Sequence, residues 1–205
     1  MITVYDNFPG PDGALIGTNA VTGQAWVATI APYDDLAIVS HQAEGTVNDQ
    51  NGAQVDGALN VNTYSGPWWI RIVVLLGAKA ATTKSIGAWI GDDDVGPYFG
   101  LAVLYGGAQS AGSPLIDAGQ IDASPSSVVA TGVDPLALNE FVMQLDTDTA
   151  TMRVYLNDDL LLTATGVTVD PATTPPFVIS PACGIGTTPA AFSEVELGRG
   201  VYPIG

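Results

Sequence analysis

The sequence predicts an all-β fold, two antiparallel sheets packed as a sandwich, and three observations carry that expectation. Its apolar runs are short and alternate with a period of two, as strands with one covered face do. No stretch of ten or more residues shows a 3.6-residue apolar period with caps at its ends. The 14 prolines and 24 glycines fall mainly between the apolar runs, where a sandwich keeps its loops. An apolar share of 47% over 205 residues is enough to build a sizeable core and excludes disorder. There is no repeat at a period of 20 to 50 residues, so one domain spanning residues 1–205 is the simplest organisation.

The elements follow in order. In the opening segment Asp6-Asn7-Phe8 leads through Asp12-Gly13, Leu15 and Gly17 to Thr22-Gly23 and Trp26, a turn-rich excursion whose ends, Phe8 and Trp26, are large apolar anchors. Residues 68–76, WWIRIVVLL, read as a central strand. Trp68, Ile70, Ile72, Val74 and Leu76 share one face, and Trp69, Arg71, Val73 and Leu75 the other. Residues 85–90 and 98–105 flank the acidic turn Gly91-Asp92-Asp93-Asp94-Val95-Gly96-Pro97 and are expected to pair antiparallel. Phe141, Met143 and Leu145 alternate with Val142 and Gln144 before Asp146-Thr147-Asp148-Thr149 turns the chain into residues 151–156. A second hairpin leads to residues 160–164, with either Asn157-Asp158 or Asp158-Asp159 as its two-residue turn. Residues 108–114 and 169–176 read as long loops within the domain.

Three pieces of this chain together resemble the concanavalin A-like (laminin G-like, lectin/glucanase) sandwich domains. They are the Asp6-to-Trp26 opening, the hairpin run FVMQLDTDTATMRVYLNDDLL at 141–161, and the close in which Cys183-Gly184-Ile185-Gly186 precedes Phe192-Ser193-Glu194-Val195-Glu196-Leu197. Asp158 departs from the pattern, which has glycine after the asparagine. The resemblance implies a two-sheet antiparallel jelly roll in which the last strand pairs back on the first and both termini lie on one side. It does not choose a function, because the fold hosts lectins, glycanases and virion surface domains alike.

Charge narrows the partners. Twenty-one acidic residues stand against five basic ones, a net charge of −16, and Arg71, Lys79, Lys84, Arg153 and Arg199 are scattered along the chain. Binding a polyanion needs clustered cations to displace its counterions, so neither nucleic acid nor an anionic membrane is an expected partner. No apolar run is long enough to span a bilayer. The start, Met1-Ile2-Thr3-Val4-Tyr5-Asp6, has neither a basic region nor a long apolar stretch, so no signal peptide is expected and synthesis in a cytoplasm is. Cys183 is the single cysteine and reads as a small buried hydrophobe.

Chemistry is sparse. The glycanases of this fold carry an E-x-D-x-x-E strand, and this chain has none. Glu194 and Glu196 share a strand face without the intervening aspartate. His41, the lone histidine, has no nucleophile motif and no second histidine beside it, and reads as a loop or edge residue. No catalytic residue is assigned and no enzyme is expected. For a metal, Asp92, Asp93 and Asp94 are the first choice for Ca²⁺, ahead of Asp146 with Asp148 or Asp158 with Asp159, since the ion needs several hard oxygens on one loop; a solvated acidic turn is the simpler reading. Otherwise no cofactor is expected. For a glycan or a subunit contact the candidates are Trp69, Trp89 and Tyr98, with Tyr33 beside them. Trp69 shares its face with Val73 and Leu75, so a loop or another copy of the chain should cover it.

Two functional expectations follow. The first is a non-enzymatic structural protein of a virus particle, a phage capsid decoration or fibre and tail component that binds the major capsid or another virion protein as a homo-oligomer; a trimer would suit local three-fold positions. It rests on the missing catalytic set, the acidic charge and the likeness of the D-x-F … T-G-x-x-W opening to phage proteins. The alternative is a carbohydrate-binding module or lectin that attaches to host glycans.

Overall fold

The computed structural model describes residues 1–28, 36–45, 52–56, 64–78, 83–91, 97–107, 113–170, 173, 176–182 and 190–204. All regular structure among them is strand. In chain order these are β1 (Ile2–Asp6), β2 (Gly13–Ala14), β3 (Val27–Ala28), β4 (Leu36–Val39), β5 (Gln42–Gly45), β6 (Ala53–Val55), β7 (Trp68–Leu75) and β8 (Thr83–Ile90). Then come β9 (Phe99–Gly106), β10 (Leu115–Gln120), β11 (Ser126–Val129), β12 (Leu138–Asp146), β13 (Thr151–Leu156), β14 (Asp159–Thr165), β15 (Phe177–Ala182) and β16 (Ala191–Arg199).

The strands form two antiparallel sheets. The larger runs β14-β13-β12-β7-β16-β5-β4-β2, with β1 on the far side of β16, nine strands among the described residues. The smaller runs β11-β10-β9-β8-β15-β6-β3, seven strands. As the sequence suggests, β8 pairs with β9 and β12 with β13, and the last strand lies between β7 and the first, with Tyr5 opposite Glu196. The chain ends meet there, where the Arg199 amide donates to the Met1 carbonyl.

The alternation read from residues 68–76 holds. Trp68, Ile70, Ile72, Val74 and Leu76 are fully buried between the sheets, where Trp68 meets Phe99 of the opposite sheet edge-on at 5.7 Å. Tyr105 stands in the same core and its hydroxyl donates to the Leu76 carbonyl. The ambiguous hairpin resolves to Asn157-Asp158: both residues have positive φ, 48° and 69°, and Leu156 pairs with Asp159. Two consecutive left-handed residues are what a tight turn matched to the strand twist requires, and Asn and Asp tolerate that conformation where a branched residue would not. His41 likewise sits exposed at φ 62° in the β4–β5 turn.

The opening excursion is pinned as its aromatics suggest. Phe8 and Trp26 are fully buried. The Asp6 carboxylate holds both, accepting from the Phe8 amide at 2.8 Å and the Trp26 indole N–H at 2.6 Å. Burial pushes the Asp6 carboxyl above its ordinary range, with the two donors pulling the other way. Asp6→Ala is expected to lower the unfolding free energy by about 2–3 kcal/mol, because it strands a buried indole donor as well as deleting a charged acceptor. Asp6→Asn keeps an acceptor oxygen and is expected to cost less than half of that. Equal losses for the two variants in urea unfolding would show that the hydrogen bonds are not what holds the excursion.

Candidate functional site

The register of the nine-stranded sheet assembles a site on its outer face that no segment of the chain contains alone. One row across five strands reads Tyr155, Val142, Arg71, Glu196, Tyr5, from β13 through β12, β7 and β16 to β1. The neighbouring row reads Arg153, Gln144, Trp69, Gly198, Ile2. On the other side of the first row, Glu140 and Glu194 flank Val73. Side chains two apart on a strand share a face, so the sheet brings these rows side by side.

Arg71 is the hub. Its Nε donates to Glu140 Oε2 at 2.5 Å, and its Nη1 to Glu194 Oε2 at 2.6 Å and Glu196 Oε1 at 3.1 Å. Desolvation disfavours the Arg71 charge, but the surrounding glutamates outweigh it and hold the guanidinium firmly protonated. Glu196 moves above the ordinary carboxylate range. Burial is the largest cause, Glu194 and Glu140 add to it, and Arg71 opposes it. The set carries one positive and three negative charges, and the surplus is negative.

The C-terminal segment closes one side of this site. After Arg199 the chain folds back over the sheet, and the Tyr202 amide donates to Gln144 Oε1 and its hydroxyl to Glu140 Oε1, each at 2.9 Å. The Tyr202 ring meets the Trp69 indole edge-on at 5.0 Å. Burial, then Glu140, drive the Tyr202 phenol well above its usual value, so it stays a donor throughout the physiological range. Between this segment and the first strand lies a cavity of about 530 Å³. Trp69, Arg71, Glu196 and Tyr202 give it its aromatic and polar walls, and Ile2, Val201 and Pro203 give it apolar ones. The Trp69 indole N–H is buried without a hydrogen-bond partner. The indole packs over Gly198, where a Cβ would fall 2.2 Å from its Cζ2 and 2.3 Å from its Cε2.

The structure places the residues singled out from sequence as follows. Trp69 is not an open stacking platform: it is 3% exposed, and the cover expected for it is the protein's own Tyr202. Trp89 is on the outer face of the other sheet, 8% exposed, tilted against the half-buried Tyr98 at 5.3 Å. It too is no exposed platform, although its indole N–H is buried without a partner. Beside Tyr98, Gln120 Nε2 donates to the Tyr98 carbonyl and to Asp122. Trp69 and the Trp89–Tyr98 pair are on opposite faces of the sandwich and form no single site. Glu194 and Glu196 do share a face, joined by Arg71 instead of standing across an open cleft. Asp146 caps the amides of Asp148 and Thr149 in its own turn. Asp92, Asp93 and Asp94, Tyr33 and Cys183 lie outside the described residues. No cluster of three or more potential metal ligands occurs among the described residues. Glu140, Gln144 and Tyr202 had no functional reading in the sequence; the one signal for Arg71 was a charge in the middle of an apolar central strand.

No family model matches the chain, and no curated protein sequence matches it. Solved structures do. The carbohydrate recognition domain of Emp47p superposes with a TM-score of 0.60 at 12% identity, covering 93% of this chain and 95% of that one. Peanut lectin superposes with a TM-score of 0.58 at 12% identity, covering 87% and 97%. The fold is the concanavalin A-like sandwich. A Trypanosoma rangeli sialidase also contains it, with a TM-score of 0.63 at 14% identity over 97% of this chain but only 30% of that longer one. At these identities the concanavalin A-like likeness is one of architecture.

Proposed function

We propose that the protein is a glycan-recognition domain that takes its ligand in the cavity beside Trp69. The observation that carries this reading is the convergence, around about 530 Å³, of the Trp69 and Tyr202 rings, the Glu196 carboxylate and apolar walls. A sugar is amphipathic in the same way: its hydroxyls both donate and accept, while its C–H faces prefer apolar and aromatic surface. Its hydroxyls would donate to Glu196, and a C–H face would lie against the apolar walls. Carbohydrate recognition by Emp47p's domain and by peanut lectin, which share the architecture, supports the reading by analogy. Binding without turnover fits the carboxylates, since all three engage one guanidinium and none stands apart as a nucleophile or acid.

A glycan array followed by calorimetry tests it. The expected result is binding of at least one glycan class, lost by about tenfold or more in Trp69→Ala and retained in Trp89→Ala. An empty array, or unchanged binding in Trp69→Ala, would overturn it.

A place on a virus particle, as a homo-oligomeric decoration of the capsid, draws its support from the missing catalytic set, the acidic charge and the likeness of the opening segment. Co-purification with particles at a fixed copy number is its test. The glycan reading has the geometry behind it.

A further inference from the structure

We infer that residues 200–204 are a hinged strap that swings from Gly200 while β16 stays paired, and that closes on the ligand held beside Trp69. The inference rests on the glycan reading above and adds how that site opens and shuts.

The fixed frame ends at Arg199. Its amide donates to the Met1 carbonyl at 2.6 Å and its carbonyl accepts from the Met1 ammonium at 2.5 Å, which ties the end of β16 to the start of the chain. The Gly200 amide then donates to the Pro67 carbonyl at 2.7 Å. Beyond that point the segment belongs to no strand, and one residue anchors it. Tyr202 is 9% exposed, whereas Val201 is 68% exposed and Pro203 and Ile204 also face solvent. Among the described residues, every hydrogen bond from 201–204 to the sheet comes from Tyr202, its amide to Gln144 and its hydroxyl to Glu140. The Ile204 amide only turns back to the Tyr202 carbonyl. Beneath the Tyr202 ring, Trp69, Val142 and Tyr155 complete a small apolar cluster separate from the core between the sheets.

A segment held by so few buried contacts lies at the low end of local stability and detaches without the core. The pivot allows it. Gly200 has φ 91°, a conformation that favours glycine, and a Cβ there would meet nothing within 4 Å, so no neighbour obstructs the turn. The cavity gives the motion a consequence. Val201, Tyr202 and Pro203 line it from the strap, and Met1 and Ile2 from the tied chain start. A ligand there touches one wall that moves and one that does not. Opening strips away the strap's part of the lining, so the ligand binds the closed arrangement better than the open one and favours closure by linkage. Departure then waits on the strap, and the effect falls on the off-rate.

Hydrogen exchange on the free protein is the first arm of the test. The Tyr202 amide is expected to exchange at least about a hundredfold faster than the paired amides of β16. Equal rates would mean that the strap leaves only when the whole fold does, and would overturn the inference. With the glycan that the array identifies at saturation, exchange at Tyr202 is expected to slow by about tenfold or more. Unchanged exchange in the bound protein would overturn the strap's closure and leave the glycan reading standing. Gly200→Ala is the second arm, because Gly200 does not line the cavity. Alanine at that φ disfavours the closed strap without a clash. Surface plasmon resonance is expected to give an off-rate about threefold to tenfold higher, with the on-rate changed by less than about twofold. An off-rate equal to the parent's would overturn the inference. Exchange at the β16 amides checks that the variant folds. If it does not, Tyr202→Phe, which removes only the hydroxyl bond to Glu140, takes its place with the same expectation. An array on which nothing binds would overturn the glycan reading and the closure on ligand together.

Discussion

Arg71→Met is expected to lower the unfolding free energy by about 2–4 kcal/mol at neutral pH, and by much less near pH 4. Methionine keeps the aliphatic stem and deletes the charge. Glu140, Glu194 and Glu196 then face one another without a counter-ion, in surroundings that leave only 14 to 33% of their side-chain surface exposed. Breaking a buried pair by removing one partner typically costs about 3–5 kcal/mol, and the residual solvent contact here trims that figure. The pH dependence has a definite sign. The Glu196 carboxyl already sits above its ordinary 4.5 in the folded protein, so between the two values the folded state binds more proton than the unfolded chain. Stability from this group is therefore fully present below pH 4.5 and declines as pH rises through the folded value. Arg71 is the influence that limits the rise, and removing it widens the window. Urea midpoints followed from pH 4 to pH 8 should fall more steeply for the variant than for the parent. Parallel curves would show that the guanidinium is held by the glutamates without holding them in return.

The strands were legible because their signals are local. Residues 68–76 alternate within one segment, and which side faces the core follows from period two alone. The hairpin at 157–158 was readable to within one residue, and the choice between its two registers is made by backbone conformation that asparagine and aspartate accept about equally. The site was not legible, because it is a product of register. Arg71 meets Glu140 at a separation of 69 residues and Glu194 at 123, and no window of sequence sees both. Tyr202 belongs to a short non-strand segment with no periodicity to read, yet it decides what Trp69 does. From sequence Trp69 was an aromatic on an apolar face that needed cover, by a loop or by a second copy of the chain, and it is the path of the segment after Arg199 that makes the cover the chain itself. Composition, likewise, constrained partners by exclusion, since a surplus of acid disfavours polyanions without naming what is bound instead.

Gly198→Ala is expected to destabilise the protein by about 2–3 kcal/mol and to weaken any ligand held beside Trp69. In a strand the same change ordinarily helps, because alanine lowers the entropy of the unfolded chain. Here the sign reverses, since a Cβ at this position would fall inside contact distance of Cζ2, Cε2 and Cη2 of the Trp69 indole. A flexible side chain would swing away. The indole has Tyr202 against it at 5.0 Å and stands between Gln144 and Gly198 in its row. Strand β16 cannot retreat either, because Gly198 is paired with Trp69 on one side and Ile2 on the other. Trp69→Leu removes the obstructing ring edge, so Gly198→Ala in that background should cost at least about 1 kcal/mol less than in the parent, a non-additivity that a double-mutant cycle reads directly. Additive losses would mean that the glycine is needed for the backbone. The cycle thus separates a sheet that requires glycine from a cavity wall that requires the indole to pack over Gly198, and the ligand argument depends on the second.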